Sequence, residues 1–294
     1  MKIGFAGLGV MGAPMAGHLQ RAGQQVTGFN RSPDKASAWA SAAGGQAAAT
    51  VAEAAAGAEL FILCVGNDHD VRGVVGQALP YLADGAVIVD HTTTSAVVAR
   101  EMAALAETSG RRFLDAPVSG GQAGAERGQL SVMVGGDPAA LETASAALEA
   151  YAKAIRHMGP SGSGQLTKMV NQIAIAGVVQ GLAEAVHFAQ QAGLDTDAVY
   201  EAVSQGAAQS WQMDNRWKTA AKGEFAFGFA VDWMRKDLGL VLDEARRNGS
   251  VLALTALVDQ FYAEVQAMGG SRWDTSSLAA RLQAPSSSAA RGAK

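Results

Sequence analysis

Cysteine is nearly absent from this 294-residue chain, and Cys64 stands alone. A single thiol excludes an internal disulfide and fits a reducing compartment, so a cytoplasmic protein is expected. Cys64 closes an apolar strand and reads as a buried structural thiol rather than a nucleophile. The five histidines (His18, His69, His91, His157 and His187) lack metal-ligand spacing and cysteine partners. No metal site is expected. Excess positive charge is also missing: 23 Lys and Arg against 27 Asp and Glu leave a net charge of −4, with the basic residues dispersed. Nucleic acid is therefore not an expected partner. No apolar run reaches the length of a membrane span, and the chain opens on a strand rather than a signal peptide, so no membrane partner is expected either. The length allows one large or two ordinary domains with a sizeable core.

Glycine is plentiful, and its placement is informative. A short apolar strand from Lys2 runs into Gly7, Gly9 and Gly12, followed by the helical spacing of Met15, Leu19 and Ala22. In this context, after a strand and before a helix, G-x-G-x-x-G carries a mechanism. Gly7 permits the tight turn, Gly9 lets backbone approach a pyrophosphate, and Gly12 lets helix and strand pack closely. The helix N-terminus then faces the phosphates. These features make Gly7, Leu8, Gly9, Val10, Met11 and Gly12 candidate cofactor contacts. The second strand, Gln25 to Phe29, ends about where a ribose-reading residue belongs. Asn30, Arg31 and Ser32 stand there in place of the Asp or Glu usual for NAD. Asn30 does not repel a 2′-phosphate, and Arg31 offers a planar fork of donors to one. NADP is the preferred cofactor on this reading, with NAD possible. Ser32 and Pro33 also look like the N-cap and first position of the next helix.

Apolar strands at 58–65, 85–90, 112–115 and 130–134 alternate with Ala-rich helical segments at 32–43, 96–108 and 138–148. That alternation predicts a mostly parallel, doubly wound sheet covered on both faces. After the glycine-rich joint at 159–164 the pattern becomes helical: one long helix from Gln165 to about Gly193, then helices to about Leu282. This gives an α/β domain over 1–161, an all-α domain over 162–283 built on the long interdomain helix, and a disordered tail over 284–294. Lys168 and Asn171 share one face of that helix. The rest of it is apolar nearly all round and is expected to be buried. A lysine on such a helix calls for a reason.

Taken together, these stretches resemble the β-hydroxyacid dehydrogenase (3-hydroxyisobutyrate dehydrogenase) family over roughly residues 1 to 283. The resemblance is carried by Gly7–Gly12 with Ala13–Ala16, by Asp115–Gly121, by Gly162–Asn171, and by Lys236–Leu240. It implies an N-terminal Rossmann domain that binds NAD(P), a helical C-terminal domain, and a homo-oligomer. It also implies hydride transfer between the nicotinamide and a small β-hydroxyacid or its semialdehyde, so that a small carboxylate is the expected partner. Lys168 becomes the acid/base, with Asn171 beside it holding the substrate oxygen. Ser119, Gly120 and Gly121 become the loop for the substrate carboxylate, a role suited to a nest of backbone N–H groups. Lys236 becomes the lysine near nicotinamide and substrate, and Phe229 the phenylalanine that packs on the cofactor. The stretch from Asp90 to Ser95 (Asp-His-Thr-Thr-Thr-Ser) replaces the usual Asp-x-Ser-Thr, with Thr93 still in the place of the cofactor-contacting threonine. Val65 and Gly66 stand where a leucine–proline pair often lies beside the nicotinamide ribose. The imine reductases share this architecture but usually carry Asp or Tyr in place of Lys168. A non-catalytic NADP-binding sensor would not need Lys168, Asn171 and Ser119 together.

Overall fold

The strands of the first half are apolar on both faces because both faces are covered. In β4 (Leu60–Leu63), Leu60 and Ile62 join a core with Ile3, Phe5 and Leu19, while Phe61 and Leu63 join a second core with Val71 and Val75. β5 (Val87–Asp90) divides in the same way, Val87 and Val89 to one core and Ile88 to the other. Alternate side chains of a strand point to opposite faces, so a continuous apolar run marks a sheet buried on both sides.

This computed structural model describes residues 1–283. In chain order the first half holds β1 (Lys2–Ala6), α1 (Gly12–Arg21), β2 (Gln25–Phe29), α2 (Pro33–Ala43), β3 (Gln46–Ala48), α3 (Val51–Ala55), β4, α4 (Asp68–Ala78), β5 and α5 (Ala96–Thr108). It continues with β6 (Arg112–Asp115), β7 (Val118–Ser119), α6 (Gly121–Glu126), β8 (Leu130–Gly135), α7 (Pro138–Leu148) and β9 (Ala152–Gly159). The sheet order is β3-β2-β1-β4-β5-β6-β8-β7, with β9 paired to β8. Strands β1 to β6 pair in parallel, as does β9 with β8, while β8 runs antiparallel to β6 and β7. The order reverses between β1 and β4, and ligands of such sheets bind at the carboxyl ends of the strands at that point.

Three strands, β3, β7 and β9, go beyond the sequence reading. β3 and β7 are too short to show a period. β9 carries Lys153, Arg156, His157 and Met158 on exposed or half-buried positions and has no apolar alternation to read. Cys64, expected to be buried, is half-buried just past β4.

The chain divides into two compact units, Met1–Lys168 and a second from Met169 onward. The long helix α8 (Ser163–Gln191) is followed by α9 (Thr196–Val203), α10 (Trp211–Lys222), α11 (Val231–Asn248), α12 (Ala253–Ala267) and α13 (Leu278–Gln283). The core of the second unit sets Ala176, Val179 and Ala183 of α8 against Met234, Leu238, Val258, Tyr262 and Leu278. Two expectations for α8 need correcting. Its length and mean hydropathy of 1.3 do reach the measure of a membrane span. The core helix of a globular unit passes the same test, and α8 carries the buried Gln165, Gln172 and Gln180. Nor is it buried all round: Val170, Ala174, Val178, Gly181, Ala185 and Phe188 form an exposed apolar stripe. The tail over 284–294 lies outside the described residues.

Candidate active site

The turn between β1 and α1 is built as its glycines require. Gly7 has φ +98°, and a Cβ there would lie 2.1 Å from the Cys64 carbonyl oxygen; one on Gly12 would lie 1.8 Å from that of Gly7. Gly9 differs, since a Cβ on it would meet nothing within 4 Å. Beside it Val10 is 66% exposed and Met11 half-buried, and no side chain caps the start of α1. Open space over Gly9 in front of an uncapped helix start fits a dinucleotide pyrophosphate.

Asn30 Oδ1 accepts from the Leu8 N–H at 3.0 Å, and its Nδ2 donates to the Ser32 carbonyl at 3.2 Å. Asn30 thus clamps the glycine turn to the end of β2. Ser32 occupies the N-cap position of α2 with Pro33 following, but its hydroxyl makes no cap bond. Arg31 is 89% exposed, with Nη1 3.8 Å from Asp70 Oδ1. Asp70 also accepts from the Gly66 N–H, and the Val65 N–H donates to Thr92 Oγ1 at 3.0 Å. Val65, Gly66 and the Thr92–Thr94 segment therefore lie together at the ends of β4 and β5.

Two residues that motif reading left without a role tie α8 to this edge. Gln165 Oε1 accepts from the Thr94 N–H, and its Nε2 donates to the Thr92 carbonyl at 2.7 Å, bracketing the half-buried Thr93. Asp115, at the end of β6, accepts from the Gly162 N–H at 2.7 Å and the Gln165 N–H at 2.9 Å. Burial pushes its carboxyl above the usual range, although four backbone N–H groups pull the other way. A Cβ on Gly164 would lie 2.4 Å from the Asp115 carbonyl oxygen, so the helix start rests directly on the sheet. The glycine-rich segment read as a joint is a tightly packed seat.

That seat aims Lys168, one turn into α8. The Lys168 side chain is buried, and Nζ donates to the Val118 carbonyl at 2.8 Å. The next residues are Ser119, Gly120 (φ +134°) and Gly121 (φ +61°). Two successive residues at positive φ favour glycine. The first unit therefore sets the Lys168 side chain beside the start of the Ser119–Gly121 loop.

In the second unit a relay joins three polar residues to Lys236. Asn171 Nδ2 donates to Gln172 Oε1 at 2.8 Å, and Gln172 Nε2 to Asp237 Oδ2 at 2.6 Å. Lys236 Nζ lies 3.1 Å from Asp237 Oδ1, close enough for an ion pair. Motif reading missed Gln172 and Asp237, yet these link the candidates Asn171 and Lys236. The Phe229 N–H donates to the buried Asp274, whose other oxygen receives Arg216 Nε at 2.9 Å. The Phe229 ring is part-exposed.

Comparison with known proteins covers most of the chain. Residues 2–159 match the family described as the NAD binding domain of 6-phosphogluconate dehydrogenase, and residues 162–282 that described as NAD-binding of NADP-dependent 3-hydroxyisobutyrate dehydrogenase. An uncharacterized oxidoreductase of Shewanella frigidimarina is 60% identical over 285 residues, 96% of this chain and 98% of its own. The structure of Mycobacterium tuberculosis 3-hydroxyisobutyrate dehydrogenase with L-serine is 34% identical with a TM-score of 0.87, covering 96% of this chain and 99% of that one. An imine reductase from Pseudomonas sp. shares the fold alone, at 22% identity and TM-score 0.60 over 95% of this chain and 98% of its own.

Proposed function

Because the chain belongs to the β-hydroxyacid dehydrogenase family and is an NAD(P)-dependent oxidoreductase, we propose that Lys168 is its acid/base and Ser119–Gly121 its carboxylate loop. The observation that carries this reading is the bond from Lys168 Nζ to the Val118 carbonyl, one residue before that loop. A substrate whose carboxylate sits on the N–H groups of Ser119, Gly120 and Gly121 brings an oxygen a few bonds away toward the ammonium. That spacing suits a small β-hydroxyacid or the matching semialdehyde. When bound, a nicotinamide cofactor would be held by the Gly7–Gly12 turn, Asn30, Arg31, Ser32, Val65, Gly66 and Thr93, with Phe229 assigned to it on the family resemblance alone, and would supply or take the hydride. In reduction Lys168 Nζ gives its proton to the oxygen of the carbonyl being reduced; in oxidation the neutral amine takes it back. Asn171 and Lys236, linked through Gln172 and Asp237, are assigned the substrate oxygen and the nicotinamide edge on the family resemblance.

Exposed Arg31 and the absence of a carboxylate at position 30 support NADP over NAD. The α8 stripe supports a second copy of this chain as partner. It repeats at three- and four-residue spacing, and the small Ala174, Gly181 and Ala185 lie among the larger Val170, Val178 and Phe188, so two copies could pack stripe to stripe. The lone cysteine supports a cytoplasmic setting.

The test is Lys168→Ala and Lys168→Arg, with cofactor saturating and a panel of small semialdehydes as substrates. Both variants are expected to lose about two to four orders of magnitude in turnover, the usual size of an acid–base contribution. Arginine fails because it stays protonated and cannot accept the proton in oxidation. NADPH binding measured by fluorescence should survive. Near-normal turnover in the alanine variant would overturn the assignment.

A further inference from the structure

The loop that receives Lys168 is held by an unusual buried pair. Three successive carbonyls lead into it, and each has a partner. The Ala116 oxygen faces His91 Nδ1 at 2.6 Å, the Pro117 oxygen accepts from the Met133 N–H at 3.1 Å, and the Val118 oxygen accepts from Lys168 at 2.8 Å. The Ala116 N–H is bound as well, to the Asp90 carbonyl at 2.7 Å. Pro117 has no N–H to offer a neighbouring strand, so the segment depends on its carbonyls for anchorage. His91 is the side chain that reaches in from β5 for this purpose.

A carbonyl oxygen only accepts, so Nδ1 must carry the proton and Nε2 must be the acceptor. Tyr151 supplies the matching donor, its hydroxyl lying 2.8 Å from Nε2 with the two rings edge to face. Both side chains are almost wholly buried, His91 at 2% exposure and Tyr151 at 0%. The ring is thereby fixed in one tautomer and one orientation, with both nitrogens satisfied. Burial also holds the imidazole neutral, with its pKa pushed down to about 4 from 6.5. The anchor therefore does not change charge across the neutral range.

We propose that His91 is a positioning residue for the reaction: by binding the Ala116 carbonyl, with Tyr151 behind it, His91 fixes the Ala116–Val118 segment. That segment sets the height of the Val118 oxygen against Lys168 and the start of the Ser119–Gly121 loop. The inference rests on Lys168 being the acid/base. It concerns the unrestricted second position of the Asp-x-Ser-Thr pattern, so the pattern itself assigns His91 no role.

The test compares His91→Leu, His91→Asn and Tyr151→Phe by steady-state kinetics and by the pH profile of oxidation. Leucine fills much of the space but leaves the Ala116 carbonyl without a donor, whereas the asparagine amide can place an N–H where Nδ1 was. His91→Leu is expected to lower kcat about five- to twentyfold, with KM for NADPH within about twofold of the parent. The Val118 carbonyl favours the ammonium form of Lys168. A loosened Val118 should therefore move the midpoint of the oxidation profile to lower pH by roughly half a unit or more. Asparagine should restore most of both, and Tyr151→Phe should give a smaller shift in the same direction. A merely structural role would lower thermal stability and leave the midpoint in place. Unchanged kcat and midpoint in His91→Leu, or equal impairment in His91→Asn, would overturn the proposal. If the leucine variant does not fold, an unshifted midpoint in Tyr151→Phe decides against it. Lys168→Ala keeps the two readings apart: its full activity removes the underlying assignment, whereas its loss beside an unaffected His91→Leu removes this inference alone.

Discussion

At residue scale, Arg31 and His91 make opposite kinds of prediction. Arg31 extends into solvent near Asp70, and an exposed charge contributes less than a buried one. Arg31→Ala should therefore weaken NADPH by roughly tenfold, the lower end for a charge-assisted contact, and leave NADH nearly unchanged. Titration with both cofactors checks it; equal losses would make Arg31 a turn residue only. His91 is a stability matter. Its folded pKa of about 4 lies below the ordinary 6.5, so the unfolded chain binds the extra proton first. The stability this provides is complete above pH 6.5 and is lost as pH falls toward 4, about 3 kcal/mol in all. Urea unfolding of the parent between pH 7.5 and 4.5 should show that slope, and His91→Asn should flatten it. Asp115, raised by burial, acts in the opposite direction, but it is common to both proteins and drops out of the comparison.

At element scale, the seat of α8 governs. Asp115 accepts the Gly162 N–H just before the helix and the Gln165 N–H in its first turn, while Gly164 lets backbone meet backbone. Asp115→Asn turns an NH2 toward one of those donors and leaves it unsatisfied in a buried place. The expected loss is about 2–3 kcal/mol of stability, with a drop in turnover because Lys168 lies on the next turn. Chemical denaturation alongside activity reads both. Elements such as α5 and α7 were legible from sequence to the residue, as Ala-rich segments set between apolar strands. β9 was not, because an edge strand with exposed Lys153 and Arg156 shows no alternation. The candidate site could be read only as far as motifs name residue types, as at Lys168, the Gly7–Gly12 turn and the Ser119–Gly121 loop, whose roles are proposals. It was illegible for Gln165, Gln172, Asp237 and Asp274, because a buried hydrogen bond joins residues distant in sequence and leaves no spacing to read.

At the scale of the whole molecule, the stripe on α8 sets the expected assembly. Phe188, 72% exposed, is its largest member. Val178→Lys with Phe188→Lys should shift sedimentation toward a 30 kDa species; a parent that already sediments as one would remove the prediction. The sequence pattern showed α8 as apolar all round but could not separate a face buried in the unit from one left for a partner, since both are written in the same residues. Finally, the glycine turn separates folding from occupancy. Gly7 and Gly12 are locked by backbone within 2.1 Å of any added Cβ, while Gly9 borders empty space. A methyl group at position 9 thus has no native contact to violate and intrudes only on an incoming pyrophosphate. Ligand at about a hundredfold its dissociation constant stabilises a protein by about 2.7 kcal/mol through mass action. Gly9→Ala should melt with the parent when no dinucleotide is added and fail to follow it upward when NADPH is. One methyl group would then turn a melting curve into a direct gauge of cofactor affinity, with the empty protein as its own reference.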